Sequence, residues 1–150
     1  MTEVEVVTLI RAAPDRVFDL ELDADVHAAS MAASGETATT STGRPALGLG
    51  DEVTFTAWHL GRSWRLTSRI TEVDRPRRLV DEQVSGPFRR MCHEHLFETA
   101  GEATTRMIDR IAFTAPLGPL GAVVARAVLG PYLRRLLEQR AAHVRRLAES

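Results

Sequence analysis

The chain has 150 residues, 44% apolar and 26% charged, with a formal net charge of −1. That length fits one domain burying about 70% of the surface its unfolded form exposes. A charge so close to zero gives no electrostatic reason to expect nucleic acid or an anionic membrane as the main partner. All 19 basic residues are arginine, a bias that reads as a GC-rich genome. Cys92 is the only cysteine, so an intrachain disulfide and a multi-cysteine zinc site are both ruled out, and a reducing, cytoplasmic setting fits. Glu3 and Glu5 stand where a secretory signal would need positive charge, and no apolar run approaches the ~20 residues of a membrane span.

Glu3 to Ile10, rich in Val and Thr, predicts a first strand. Pro14 then starts a short helix, where its missing N–H costs little, with Val17, Phe18 and Leu22 at helical spacing. A second short helix is expected over Asp25 to Met31, with Asp23 and Asp25 as helix caps. The Thr/Ser-rich run from Gly35 to Gly43 suits a partly exposed strand. Gly43 to Gly50 is a loop in which Gly48 and Gly50 can take positive φ.

From Val53 to Thr71 apolar and polar residues alternate about a turn at Gly61-Arg62, the mark of a half-buried antiparallel hairpin. Trp58 and His59 close its first strand, where they either rim a pocket or pack. Leu79 to Val84 and Phe88 to Phe97 form a further pair about Ser85-Gly86-Pro87, with Arg89 and Arg90 read as solvated. Thr105 to Thr114 makes the seventh strand. Pro116 to Ser150 has a helical period, with an apolar stripe that includes Leu120, Val123, Val124, Leu137 and Val144, while Arg126, Arg134, Arg135, Arg140, Arg145 and Arg146 occupy the solvated surface. Gly130-Pro131 is expected to kink or break this helix.

Strand parity selects the side chains that face this helix. In the last strand Met107, Ile111 and Phe113 carry Asp109 inward; in the strand before it Met91 and Phe97 carry His93 and His95 inward, while Cys92 points away. A three-residue turn places Leu79, Asp81 and Gln83 on the same face, whereas a two-residue turn reverses this and puts Glu82 inward. Phe55, Trp64 and Leu66 complete the expected lining. Two histidines and one or two acids in an apolar interior should hydrogen-bond to one another, because leaving each unpaired costs roughly 1 to 3 kcal/mol or more. A His–Asp arrangement of this kind can orient a ligand's polar end or act as general acid and base. Read as ligands, His93, His95 and Asp109 also make a possible metal set. The hydrogen-bonded network is the reading taken, with neither metal nor cofactor expected.

An order of strand, two short helices, six antiparallel strands and a long C-terminal helix resembles the helix-grip fold of the START, Bet v 1 and polyketide-cyclase superfamily (SRPBCC). The residues that carry the resemblance are Ala13-Pro14-Asp15-Arg16-Val17-Phe18, Gly48-Leu49-Gly50-Asp51-Glu52-Val53, Asp81-Glu82-Gln83, Gly86-Pro87-Phe88 and His93-Glu94-His95-Leu96-Phe97. Within it the chain looks most like small bacterial members described as cyclase/dehydrase-like or cell-division-inhibitor-like. The resemblance implies an α+β fold, with a seven-stranded curved antiparallel sheet wrapped on the C-terminal helix and a hydrophobic cavity between them. The expected function is binding of a hydrophobic or amphipathic small molecule, lipid-, sterol- or polyketide-like, by a monomer or homodimer. The alternatives are a cyclase or dehydratase using His93, His95 and Asp109, and an interaction module that docks a partner on its Arg-bearing helix.

Overall fold

The computed structural model describes all 150 residues. Strand β1 (Thr2–Ile10) leads into helices α1 (Pro14–Glu21) and α2 (Ala24–Ser30); then come β2 (Thr37–Thr40), β3 (Glu52–His59), β4 (Arg62–Asp74), β5 (Arg78–Ser85), β6 (Arg90–Thr99) and β7 (Thr105–Thr114). Helix α3 (Gly118–Val124) follows. A π turn, Ala125–Leu129, joins it to α4 (Gly130–Glu149). The strands form one antiparallel sheet in the order β1-β7-β6-β5-β4-β3-β2, so β1 closes onto the last strand and the sheet curves around α4. This is the helix-grip fold. No helix of the chain is long and apolar enough to cross a membrane.

Local chemistry accounts for most boundaries. Pro14 occupies the first turn of α1, and Asp23 caps α2 by accepting hydrogen bonds from the Asp25 and Val26 amides at 2.9 and 3.2 Å, while Asp25 lies in the first turn. The β3–β4 turn is Leu60-Gly61, both with positive φ, the backbone that matches the twist of a tight hairpin. In the loop before β3, Gly43 and Gly50 take positive φ and Gly48 does not; instead its amide donates to Asp51 Oδ2 at 2.8 Å. The Thr/Ser run is strand only over Thr37–Thr40.

The C-terminal segment departs from its sequence pattern in two ways. At Gly130-Pro131 the helix continues with right-handed backbone, and the interruption appears as the π turn immediately before it. Of the expected stripe, Leu120, Val123 and Val124 are exposed rather than buried, because α3 lies at the end of the sheet and not across it. Helix α4 carries the buried face through Leu137, Ala141, Val144 and Ala148.

Two apolar clusters form the core. One joins Val17, Phe18, Leu79, Phe97, Met107 and Val144; the other joins Val4, Val6, Met91, Ile111, Phe113 and Leu137. Along β6 and β7 the residues that separate them are His93, His95 and Asp109, and along α4 the separating residue is Arg140. A polar belt therefore crosses the interior between two dry regions.

Candidate functional site

The register of β5 against β6 decides the parity left open by the sequence. Asp81 lies opposite His93 and Glu82 opposite Cys92, so Asp81 faces inward and Glu82 outward. His93 in turn sits opposite Ile111, and His95 opposite Asp109. The contacts of the belt run diagonally across these rows, within reach of long side chains. His95 Nε2 donates to Asp81 Oδ1 at 3.0 Å, and His93 Nε2 donates to Asp109 Oδ1 at 3.2 Å. The two imidazoles stack with centroids 3.7 Å apart.

Two residues that strand parity does not reach complete the belt. Glu21, at the end of α1, and Arg140 of α4 are both buried and joined by a 2.6 Å hydrogen bond from the guanidinium. Glu21 Oε2 also approaches His95 Nδ1 to 3.4 Å, with Asp109 Oδ1 at 3.0 Å. Neither oxygen lies in line with the Nδ1 hydrogen, so these are attractions between opposite charges more than directed bonds. Arg140 is thus no surface residue: it falls one helical turn after Leu137 and one before Val144, on the face the helix must bury. Glu21 similarly follows Val17 by four positions. A charged residue on the apolar face of each helix was the available sequence signal.

Burial disfavours every charge in this belt, and the neighbours determine which survive. For Asp81 burial acts upward, but the hydrogen bond from His95 and the nearby positive groups outweigh it and hold the carboxyl down at about 2. Asp109 is lowered likewise against burial, by His93 and His95, and Glu21 against burial by Arg140 and His95. His95 is buried too, yet the carboxylates of Asp109, Asp81 and Glu21 raise it well above the ordinary histidine range. His93 is lowered by burial and by the charge on His95. Of the stacked pair, His95 is therefore the one that carries the positive charge. His93 stays neutral, its Nε2 hydrogen pointing at Asp109 and the Nδ1 lone pair left free.

The belt borders a cavity of about 560 Å³ between sheet and helix, lined mainly by apolar residues. It reaches the surface where lining residues are themselves exposed, at Leu60 of the β3–β4 turn, at Leu117 just before α3, and at Leu120 and Val124 of α3. His59 and Tyr132 hydrogen-bond across this mouth at 2.8 Å, and Trp64 Nε1 donates to the His59 carbonyl at 2.8 Å. A second polar pair lies on the wall, where His27 Nδ1 contacts Glu36 Oε2 at 2.7 Å and the imidazole stacks on Phe55. Burial and the charge of Arg140 lower His27 despite Glu36.

Among the side chains expected to line the cavity, Phe55, Trp64, Leu66, Asp81, Met91, His93, His95 and Ile111 do so. Five stand elsewhere. Phe97, Met107 and Phe113 are packed into the two apolar clusters. Asp109 lies behind the histidines that contact it, 2% exposed. The Gln83 amide closes the β5–β6 turn, donating to the Phe88 carbonyl at 2.7 Å and accepting from its N–H at 3.2 Å. Trp58 is exposed and lies outside the lining, unlike its neighbour His59. Ser68, Glu21, Glu36, His27, Tyr132 and Arg140 join the lining without having been expected there.

Asp81, His93 and His95 offer ligand atoms within 4.8 Å of one another, as do Glu21, His95 and Asp109. A metal is bound in the plane of an imidazole, and rings inclined by only 27° at 3.7 Å cannot share one ion in both planes. The second set has one histidine, and there Glu21 is also bonded to Arg140 at 2.6 Å, a cation beside the place an ion would take.

A family model described as "Polyketide cyclase / dehydrase and lipid transport" matches residues 1–149. The chain belongs to this family. No curated protein matches the sequence. Among solved structures, TTHA0849 from Thermus thermophilus superposes with a TM-score of 0.78 at 20% identity, covering 99% of this chain and 100% of that one. The Zhui aromatase/cyclase from Streptomyces sp. R1128 gives 0.72 at 19% identity, over 99% and 93%. Norcoclaurine synthase from Thalictrum flavum gives 0.73 at 11% identity, over 97% and 85%. At these identities the likeness establishes the fold alone; the family description is what supports a hydrophobic ligand-binding fold.

Proposed function

We propose that this chain binds a hydrophobic or amphipathic small molecule of lipid, sterol or polyketide type, with the apolar body in the cavity and the polar end at the His–Asp belt. The observation that carries this reading is an open apolar volume with its ionised groups gathered at Asp81, His95, Glu21 and Arg140. A cavity of about 560 Å³ is in the range of small-molecule sites, which combine apolar walls with a few placed polar groups. Ser68 Oγ supports it as well: it is buried, lines the cavity and has no partner in the chain, and so is free to bond to a ligand. The single free thiol of Cys92, on the outer face of β6, suits a reducing cytoplasm.

A second reading is favoured by His93. A neutral imidazole with its Nδ1 lone pair free, beside a carboxylate and an imidazolium, can take a proton from a hydroxyl or an activated methylene and return it to a departing hydroxyl as water. The same site would then serve a dehydratase or cyclase.

Blocking the volume tests the binding reading. Ala57 is buried in β3 and lines the cavity, so Ala57→Phe places an aromatic ring inside it. Wild type should bind an apolar fluorescent dye, and the variant should lose that binding while keeping a cooperative melt. Equal dye binding by both proteins would count against the cavity as the site.

A further inference from the structure

The polar end of the cavity carries an unbalanced charge. Glu21, Asp81 and Asp109 bring three carboxylates to the belt, and Glu36, which accepts from His27 at 2.7 Å, brings a fourth to the wall, each with a side chain at most 17% exposed. Against them stand two cations, Arg140 and a His95 flanked by carboxylates at 3.0 Å on both nitrogens. Both cations are engaged: Arg140 with Glu21, and His95 with Asp81 and Asp109. Buried charges are costly unless paired, so a surplus of carboxylates at a cavity wall calls for a positive partner.

Three unused acceptor atoms of the belt point the same way. Glu21 Oε1 is buried and lacks a partner, although Glu21 lines the cavity. Asp81 spends Oδ1 on His95, leaving Oδ2 free at the cavity wall. His93, whose Nε2 donates to Asp109, keeps an acceptor at Nδ1. These three accept, while the other buried atoms without a partner, Ser68 Oγ and His95 Nδ1, can donate; a ligand carboxylate or phosphate would still meet Glu21 and Asp81 with like charge. An ammonium group offers up to three N–H donors and the missing positive charge.

We infer that the ligand of this cavity is a hydrophobic amine, held through its cationic nitrogen by Asp81 and Glu21 with its apolar body toward the mouth. This rests on the binding reading above and narrows it to one class of polar end.

Decylamine, decanol and decanoate share a chain length and differ in the charge of the head, so the test is their competition, at pH 7.5 and below micelle-forming concentrations, for a dye bound in the cavity. Decylamine should displace the dye at a concentration about tenfold lower than decanol does, with decanoate weaker than both, as expected for a charge-assisted contact. Asp81→Asn should remove most of that preference and leave decanol unchanged. Glu36→Gln, which touches His27 and neither His93 nor His95, should reduce it in part, and serves if the first variant does not fold. Displacement by decanol or decanoate as readily as by decylamine would overturn the amine assignment while the binding reading stands. Failure of the dye itself to bind the wild type would overturn both.

Discussion

At Arg140 and Glu21 the interior depends on a single pair. The carboxylate is fully enclosed and the guanidinium nearly so. Pairs of this kind contribute little net stability when whole, but removing one partner strands the other charge. Arg140→Leu should therefore lower unfolding stability by about 3 to 5 kcal/mol in urea titration; a loss below 1 kcal/mol would mean that Glu21 is neutral or solvated. Together with Asp109 and Glu21, Asp81 contributes to the acid side of the pH profile. Its folded pKa of about 2 lies below the ordinary 3.8, so its contribution is present above 3.8 and fades as the pH falls toward 2. His95 acts in the opposite sense. Raised in the fold, it stabilises fully below the ordinary 6.5, and that contribution is lost as the pH climbs through its raised value. The stability gap between wild type and Asp81→Asn should accordingly be wide at pH 5 and narrow at pH 2.5. A gap independent of pH would mean that Asp81 is not held ionised.

Helix α3 stands at the cavity mouth and is weakly secured by packing. Leu117, Leu120 and Val123 are exposed, and its only buried residue is Gly121. A Cβ at Gly121 would stand 1.7 Å from the Pro116 carbonyl oxygen, so the residue must be glycine for the helix to fold back against the end of β7. Gly121→Ala should displace α3, lowering thermal stability by an amount equivalent to about 1 to 3 kcal/mol and changing dye affinity at the mouth. Unchanged melting and unchanged affinity would show that α3 does not rest on this turn. Period-two alternation made β3 to β7 readable from sequence, and the apolar residues of β6 and β7 carried His93, His95 and Asp109 inward with them. Their depth was not readable. Parity assigns Asp109 to the inner face but cannot show that the histidines cover it. Nor can it show that Gln83 turns back onto Phe88. The α3–α4 segment misled for a related reason: its apolar residues continue the helical period even though the sheet ends before α3, leaving Leu120 and Val123 with nothing to cover them.

Across the whole molecule, the sheet, α1 and α4 each contribute one part of a polar belt between two apolar clusters. Glu21 and Arg140 join elements 119 positions apart in the chain. The apolar helix face that each occupies could be read locally, but their pairing across the chain could not, which is why the resemblance in element order revealed the fold while the composition of the belt awaited the tertiary structure. The central claim is that this volume exists to hold a small molecule. It is tested most directly by native mass spectrometry of the freshly purified chain beside its denatured mass, with extraction and identification of whatever is released. A single retained amphipathic molecule, absent from Ala57→Phe, is the predicted result. No adduct, together with no shift in melting temperature across lipids, sterols, aromatic polyketides and hydrophobic amines, would contradict it.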